Sequence, residues 1–256
     1  VFEMIDIHTH ILPGLDDGAE SMEEALEMAR IAADQGIRSV IATPHHLNGR
    51  YDTPMTTVNE MVEKLNHEIK KHHIQLQVKA GQEIRVHHRF AEELYQGRIG
   101  SLNDSRYILL ELPDHQIPEI LDEVLHEILV DGMTPIIAHP ERNVELAAHP
   151  EKLAELIGRG VLCQLTAHSL IGLFGKQAQK TSLHFCKSRL IHFIASDAHN
   201  PYRRSFALKE AYKAVHRLLG PQYADYYDNN ASRVLRDEVI LVEEPELVKR
   251  RALFWW

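Results

Sequence analysis

The sequence predicts an α/β fold, a closed and somewhat irregular barrel of seven βα units, and three observations carry that expectation. Short β-branched or apolar runs alternate with longer amphipathic segments, the pattern of a parallel sheet covered by helices. Seven such units can be counted along 256 residues, a length that one α/β barrel occupies as a single domain over residues 1–256 without a linker. No glycine-rich dinucleotide turn follows the first strand, which argues for closure rather than an open doubly wound sheet.

The first strand runs from Met4 to His8, and the helix after it starts at Ser21-Met22-Glu23-Glu24, a capping box. Ala25, Met28, Ala29 and Ala32 then fall on one face, and Gly36 ends the helix. The second strand, Ile37 to Thr43, precedes helical spacing from Val58 to Ile69. The third, Ile74 to Ala80, precedes the short Phe90 to Tyr95, and the fourth, Tyr107 to Leu112, precedes Ile117 to Leu129. The fifth is Thr134 to His139 with Leu153 to Ile157 behind it, and the sixth is Val161 to Thr166 with Ala178 to Cys186. Ile191 to Ser196 and the helix from Ala207 to Leu219 complete the set. The tail from Val239 to Trp256 opens on a strand-like stretch and ends in charged, then aromatic residues.

Composition narrows the function. With Lys+Arg 28 against Asp+Glu 37 the formal charge is −9, and no basic patch stands out, so nucleic acid is not expected as a partner. Apolar runs such as Tyr107 to Leu110 and Ile191 to Ala195 are too short to span a bilayer, so no membrane insertion is expected. No charged segment followed by an apolar one opens the sequence, which points to the cytoplasm. Cys163 and Cys186 sit in apolar or helical segments and read as buried thiols rather than a disulfide. A cysteine-based tyrosine phosphatase needs Cys-x5-Arg, but the sixth residue after these cysteines is Ser169 and His192 respectively.

The 18 histidines gather at strand ends instead of spreading evenly. The first strand runs into His8-Thr9-His10 and Asp16-Asp17, and the second into His45-His46. The third leads to Glu83, the fourth ends in Glu111, the fifth delivers His139-Pro140-Glu141-Arg142, and the seventh delivers Asp197-Ala198-His199. His8 and His10, two apart at the end of an extended strand, point to the same side and can chelate one ion; Asp197 and His199 share that spacing. Glu111 closes an apolar run, where a carboxylate is costly unless paired or metal-bound. A barrel brings its strand ends into one ring. Asp17, Glu83, Glu111 and Asp197 with His8, His10, His45, His139 and His199 are too many for one tetrahedral ion, so two or three divalent metals are expected. Mixed nitrogen and oxygen donors suit manganese, iron or zinc better than calcium. Arg142, with Arg203 or Arg204, adds planar donors that match phosphate. His67, His72, His73, His87 and His88 read as surface histidines, and His168 has no assigned role. Tyr51 and Tyr202 flank the mouth.

These segments, Ile5 to Gly14 with Asp16-Asp17-Gly18, Ala42 to His46, Gly81-Gln82-Glu83, Ala138 to Arg142 and Ala195 to His199, carry a resemblance. The chain resembles the PHP (polymerase and histidinol phosphatase) superfamily, and within it the bacterial tyrosine-protein phosphatases encoded with capsule or exopolysaccharide genes. The resemblance implies a distorted seven-stranded barrel with a trinuclear, typically manganese-dependent site, iron, zinc and magnesium being the alternatives. It implies as partner and substrate a tyrosine-phosphorylated protein, a bacterial tyrosine autokinase, and leaves the oligomeric state open. His8, His10, Glu83 and Asp197 would hold one metal, with Glu83 bridging to a second bound by Glu111 and His139. Asp17, His45 and His199 would hold the third, Asp17 being preferred over Asp16 by alignment of the following glycine. Arg142 and Arg204 match the phosphate-binding arginines, with Arg203 as rival. The implied chemistry is attack on phosphorus by a metal-bridging hydroxide with no phosphoenzyme. A histidinol-phosphate phosphatase, a phosphodiesterase and a non-catalytic metal-binding regulatory protein are the alternatives.

Overall fold

The structure, a computed structural model, describes residues 4–247. In chain order it runs β1 (Met4–Thr9), α1 (Met22–Asp34), β2 (Ile37–Ala42), β3 (His45–His46), α2 (Met55–Lys71), β4 (Gln77–Ala80), β5 (Glu83–Arg85), α3 (Phe90–Tyr95), β6 (Tyr107–Glu111) and α4 (Leu121–Val130). It continues with β7 (Thr134–Ala138), α5 (Val144–Ala148), α6 (Pro150–Gly158), β8 (Leu162–Thr166), α7 (Ala167–Ile171), α8 (Lys176–Lys187), β9 (Phe193–Ala195), α9 (Leu208–Leu218) and α10 (Pro221–Leu235). The result is an α/β fold in which every strand pairing is parallel.

The strands form two sheets, ordered β1-β2-β4 and β3-β5-β6-β7-β8-β9. The division falls where β2 gives way to β3 and β4 gives way to β5, side by side. Pro44, which has no amide donor, lies in the first gap and accepts the Glu83 amide on its carbonyl. Gly81 lies in the second, where a Cβ would come within 2.8 Å of the Ile41 side chain. The buried Gln82 side chain then holds the step open, donating to Thr53 O and Arg98 O and accepting from Gly100 N. At the far side the end of β1 meets the chain beyond β9 through a parallel bridge between Thr9 and Ala198.

Both faces of the strands are covered. On β6, Tyr107 and Leu109 belong to one apolar cluster while Ile108 and Leu110 belong to the other, and on β7 Ile136 and Ala138 alternate with Ile137 in the same way. That double burial is why these strands read as unbroken apolar runs instead of alternating ones.

All seven predicted strands are present, and three features differ. The second and third strands are both interrupted, so His45 begins β3 and Glu83 begins β5 instead of following directly on β2 and β4. Helices α5, α7 and α10 were not anticipated; α5 and α7 are five residues each, and the buried positions of α10 are Tyr227, Asn230, Ala231 and Val234, a weak apolar signal. The strand-like start of the tail forms no strand as far as residue 247. Ile240 is buried there, and the Arg106 side chain and the Tyr107 hydroxyl hold Asp237 and the Glu238 carbonyl. Residues 248–256 lie outside the described part. Cys163 and Cys186 are free and buried, as expected. Among the described residues no helix is long and apolar enough to cross a membrane.

Candidate metal centre

His8 and His10 leave β1 fully buried, with their Nε2 atoms 3.2 Å apart. Each ring is held from behind. Gln164 Oε1 on β8 lies 2.8 Å from His8 Nδ1, and Asp16 Oδ2 lies 2.6 Å from His10 Nδ1. A ring whose Nδ1 is engaged in this way turns Nε2 forward as the free donor.

The loop carrying Asp16 is folded back on His10. The Ala19 amide donates to the His10 carbonyl, and a Cβ at Gly18 would stand 2.0 Å from that same oxygen, so only glycine fits. Asp16 accepts the Gly18 amide on Oδ1 and the His45 amide on Oδ2. Its oxygens are therefore spent on support. Asp17, next to it and half exposed, faces His45 Nε2 at 3.4 Å and His199 Nε2 at 3.6 Å.

Glu83 and Asp197 are the two hubs. Glu83 Oε2 lies 3.3 Å from His8 Nε2, 3.4 Å from His10 Nε2 and 3.0 Å from His45 Nδ1, while Oε1 lies 2.8 Å from His139 Nε2. Asp197 Oδ1 stands 3.5 Å from His8 Nε2, 3.4 Å from His10 Nε2 and 3.5 Å from His199 Nδ1. Its Oδ2 receives Arg142 Nη1 at 2.7 Å and Arg204 Nη2 at 2.8 Å. Glu111 at the end of β6 reaches His45 Nδ1 at 3.7 Å and is paired with Arg85 at 3.1 Å. His139 and Asp197 both adopt positive φ, at 35° and 54°, a conformation that non-glycine residues occupy at a cost and that clusters at functional sites.

The electrostatics of the cluster follow from crowding. Burial opposes ionisation of Glu83 and Asp197, yet the surrounding imidazoles, with Arg204 at Asp197, outweigh it and hold both carboxyls well below the usual range. Glu111 is pushed up to about 7 by burial and by the neighbouring Glu83 charge. His139 is pushed down to about 4 by burial and by Arg142.

The donors fit divalent ions. Glu83 Oε2, Glu111 Oε2 and His45 Nδ1 are buried without a hydrogen bond of acceptable geometry, even though the first and last are 3.0 Å apart and Glu111 Oε2 has the Arg85 guanidinium at 3.1 Å. Buried polar atoms in that state are expensive, and a cation between them satisfies all three. Among the described residues five sets of donors have their atoms within 4.8 Å of one another, and four of them make this centre: His10, Asp17, His45 and His199; His8, His10 and Asp197; His8, Glu83 and His139; and His45, Glu83 and Glu111, the fifth being His46, Asp52 and Glu93. All nine residues singled out in the sequence thus converge, although Glu111 sits with His45 and Glu83 rather than with His139.

Other residues sort themselves around this centre. Arg203 is exposed, while Arg204 reaches Asp197; Asn200 Oδ1 accepts the amides of residues 202 to 204 and shapes that turn. His46 turns away to Glu93 and Asp52. His67, His72, His73 and His88 are exposed. Tyr51 stacks on His45 with ring centroids 6.1 Å apart, whereas Tyr202 is exposed. Sequence reasoning missed Asp6, Gln164 and Arg85. Asp6 is fully buried, accepts the Ser196 amide at 3.0 Å and the His8 amide at 3.3 Å, and ties β1 to the end of β9. A charge inside Ile5-Asp6-Ile7 and an amide inside Cys163-Gln164-Leu165 were the available signals.

Residues 4–236 match the family described as "Capsular polysaccharide synthesis, CpsB/CapC". Tyrosine-protein phosphatase YwqE of Bacillus subtilis (strain 168) is 43% identical over 251 residues, 98% of this chain and 99% of that protein. Tyrosine-protein phosphatase CpsB of Streptococcus agalactiae serotype III (strain NEM316) is 31% identical over 243 residues, 93% of this chain and 100% of that protein. A chain from the crystal structures of YwqE from Bacillus subtilis and CpsB from Streptococcus pneumoniae, described as unique metal-dependent tyrosine phosphatases, superposes with a TM-score of 0.93. It is 42% identical, and the match covers 96% of this chain and 100% of that one. Similarity of this degree across nearly the full length of each relative, together with the family match, leads to one conclusion: the chain belongs to the CpsB/CapC family.

Proposed function

We propose that this protein is a metal-dependent protein-tyrosine phosphatase that hydrolyses phosphotyrosine on a bacterial tyrosine autokinase in the cytoplasm. The family match and the names of the relatives support the activity. The observation that carries it is Asp197, whose Oδ1 faces the histidine cluster while Oδ2 is held by two arginines. An anion-binding pair thereby stands against a cation-binding set.

His8, His10, Glu83 and Asp197 would hold one ion, Glu83 would also serve a second with His139 and with Glu111, which in this structure groups with His45, and Asp17, His45 and His199 would hold a third, manganese being the natural occupant. When bound, such ions supply Lewis-acid charge at the phosphoryl oxygens and a nucleophile at neutral pH. The chain does the rest. Arg142 and Arg204 each spend one Nη on Asp197 and keep further N–H donors for the phosphate oxygens, where charge accumulates in the transition state. Asp16 and Gln164 fix the rings of His10 and His8. Neither thiol takes part, because burial pushes Cys163 up and Cys186 up to about 12. The leaving phenol has a reference pKa of about 10, so it departs with less protonic help than an alkoxide.

The fold supports this reading if β2 with β3, and β4 with β5, are taken as two bent staves of a seven-stranded barrel of the PHP type, closed at Thr9 and Ala198. Titrating manganese into chelated protein while following phosphate release from a phosphotyrosyl peptide tests the proposal. Activity should rise to a plateau at two to three ions per chain. Full activity in excess chelator would refute the metal-dependent mechanism.

A further inference from the structure

Beside the two arginines the surface opens into a cleft of about 700 Å³ that the metal centre does not use. Arg142 and Arg204 line one part of it, and Val144 and Ala148 of α5, Phe174, and Ala178 of α8 supply apolar walls. Val144 is 57% exposed, and Phe174 is 37% exposed even though its ring lies against His168 and under the Arg142 guanidinium. Large apolar groups left uncovered together beside a polar site mark a place where something binds.

The segment carrying Phe174 is built to present it. Gly172 and Gly175 both take positive φ, 86° and 96°, which closes the four-residue turn Gly172-Leu173-Phe174-Gly175 with a bond from the Gly175 amide to the Gly172 carbonyl. The Leu173 amide donates to the His168 carbonyl and anchors the turn to α7. Leu173, 65% exposed, and Phe174 are thereby held outward by a pinned backbone rather than left at a loose loop tip.

We propose that this cleft is a peptide subsite that takes an apolar side chain flanking the phosphotyrosine of the protein substrate. The assignment rests on the phosphotyrosine reading given above. Continuity decides the occupant: the cleft begins at the arginines assigned to the phosphate, so whatever fills it is joined to the phosphorylated residue. Size favours a neighbouring side chain over the tyrosyl ring alone, since about 700 Å³ falls within the range of pockets that hold a whole drug-sized ligand. Charge favours an apolar one. The cleft's charged residues are Arg142 and Arg204, each bonded to Asp197 with its remaining donors assigned to the phosphate, and Glu141, which is buried and accepts the Thr166 amide.

The test compares two phosphotyrosyl peptides, one with leucine and one with glycine on both sides of the phosphotyrosine, with free phosphotyrosine as reference. The metal-loaded protein should prefer the leucine peptide over the glycine peptide by about tenfold in kcat/KM. Ala148→Trp, which fills the cleft from an exposed position, and Val144→Ser, which strips one wall, should each bring that preference close to one. A preference that persists in both variants overturns the subsite. So does a parallel loss on free phosphotyrosine and on both peptides, which would place the tyrosyl ring itself in the cleft. Absence of turnover of all three substrates by the unsubstituted, metal-loaded protein would instead defeat the underlying phosphotyrosine reading, and the subsite with it.

Discussion

Asp16 and Asp17 show how much one position decides at the scale of a residue. Their side chains are chemically identical, yet Asp16 spends its oxygens on His10 Nδ1 and two backbone amides while Asp17 looks toward His45 and His199. Removing a group that supports a metal-ligating histidine commonly weakens metal affinity by 10- to 100-fold. Asp16→Ala should therefore weaken manganese binding by about tenfold or more in a calorimetric titration. An unchanged affinity would show that His10 needs no support from behind. A second residue makes a pH prediction away from the metals. His192 is buried beside β9, its Nδ1 accepts the Cys163 amide at 3.0 Å, and burial pushes it down to about 3. An unfolded histidine titrates near 6.5, so between those values the unfolded chain binds a proton that the folded chain refuses. Stability present above pH 6.5 is thus lost as the pH falls toward 3. His192→Asn keeps an acceptor and removes the titration. On going from pH 7 to pH 5, the parent should lose about 2 kcal/mol more unfolding free energy, measured in urea, than this variant loses. Equal losses would mean that His192 already accepts its proton in the folded state.

Among the elements, the connection between β1 and α1 carries the most consequence. Its path is set by Gly18, where a side chain would collide with the His10 carbonyl, and its exit by Ser21, which accepts the Glu24 amide while Glu24 reaches back to the Glu20 amide. Gly18→Ala should lift the loop off His10, weaken metal binding by about tenfold, and leave the far-ultraviolet circular dichroism spectrum unchanged. Retained affinity would show that the loop accommodates the methyl group. What could be read beforehand at this scale follows signal strength. The capping box of α1 and the apolar runs of the strands identify themselves, because local sequence and burial agree there. Helix α10 does not, because it docks through Tyr227, Asn230 and Ala231, and Asn230 is there to donate to the His192 carbonyl. The breaks after β2 and β4 escape for a related reason. Pro44 and Gly81 look like strand ends, and nothing local says that pairing resumes after a gap of only two residues, at His45 and at Glu83.

Across the whole molecule, the donors come from positions as far apart in sequence as His8 and His199, and the parallel pairings bring them together. Their residue types and strand-end positions were legible in the sequence, since ligand chemistry must be written in side chains. The supports were less so: Asp6, Gln164 and Arg85 act through partners distant in the chain, at Ser196, His8 and Glu111. The arginine choice likewise required the turn shaped by Asn200, which sends Arg204 and not Arg203 to Asp197. One measurement tests the central claim most directly: phosphate release from a phosphotyrosyl peptide and from histidinol phosphate, side by side, with manganese and with excess chelator. The account predicts faster release from the peptide, abolished by chelator. Preference for histidinol phosphate, or release from the peptide that survives complete removal of metal, would contradict it.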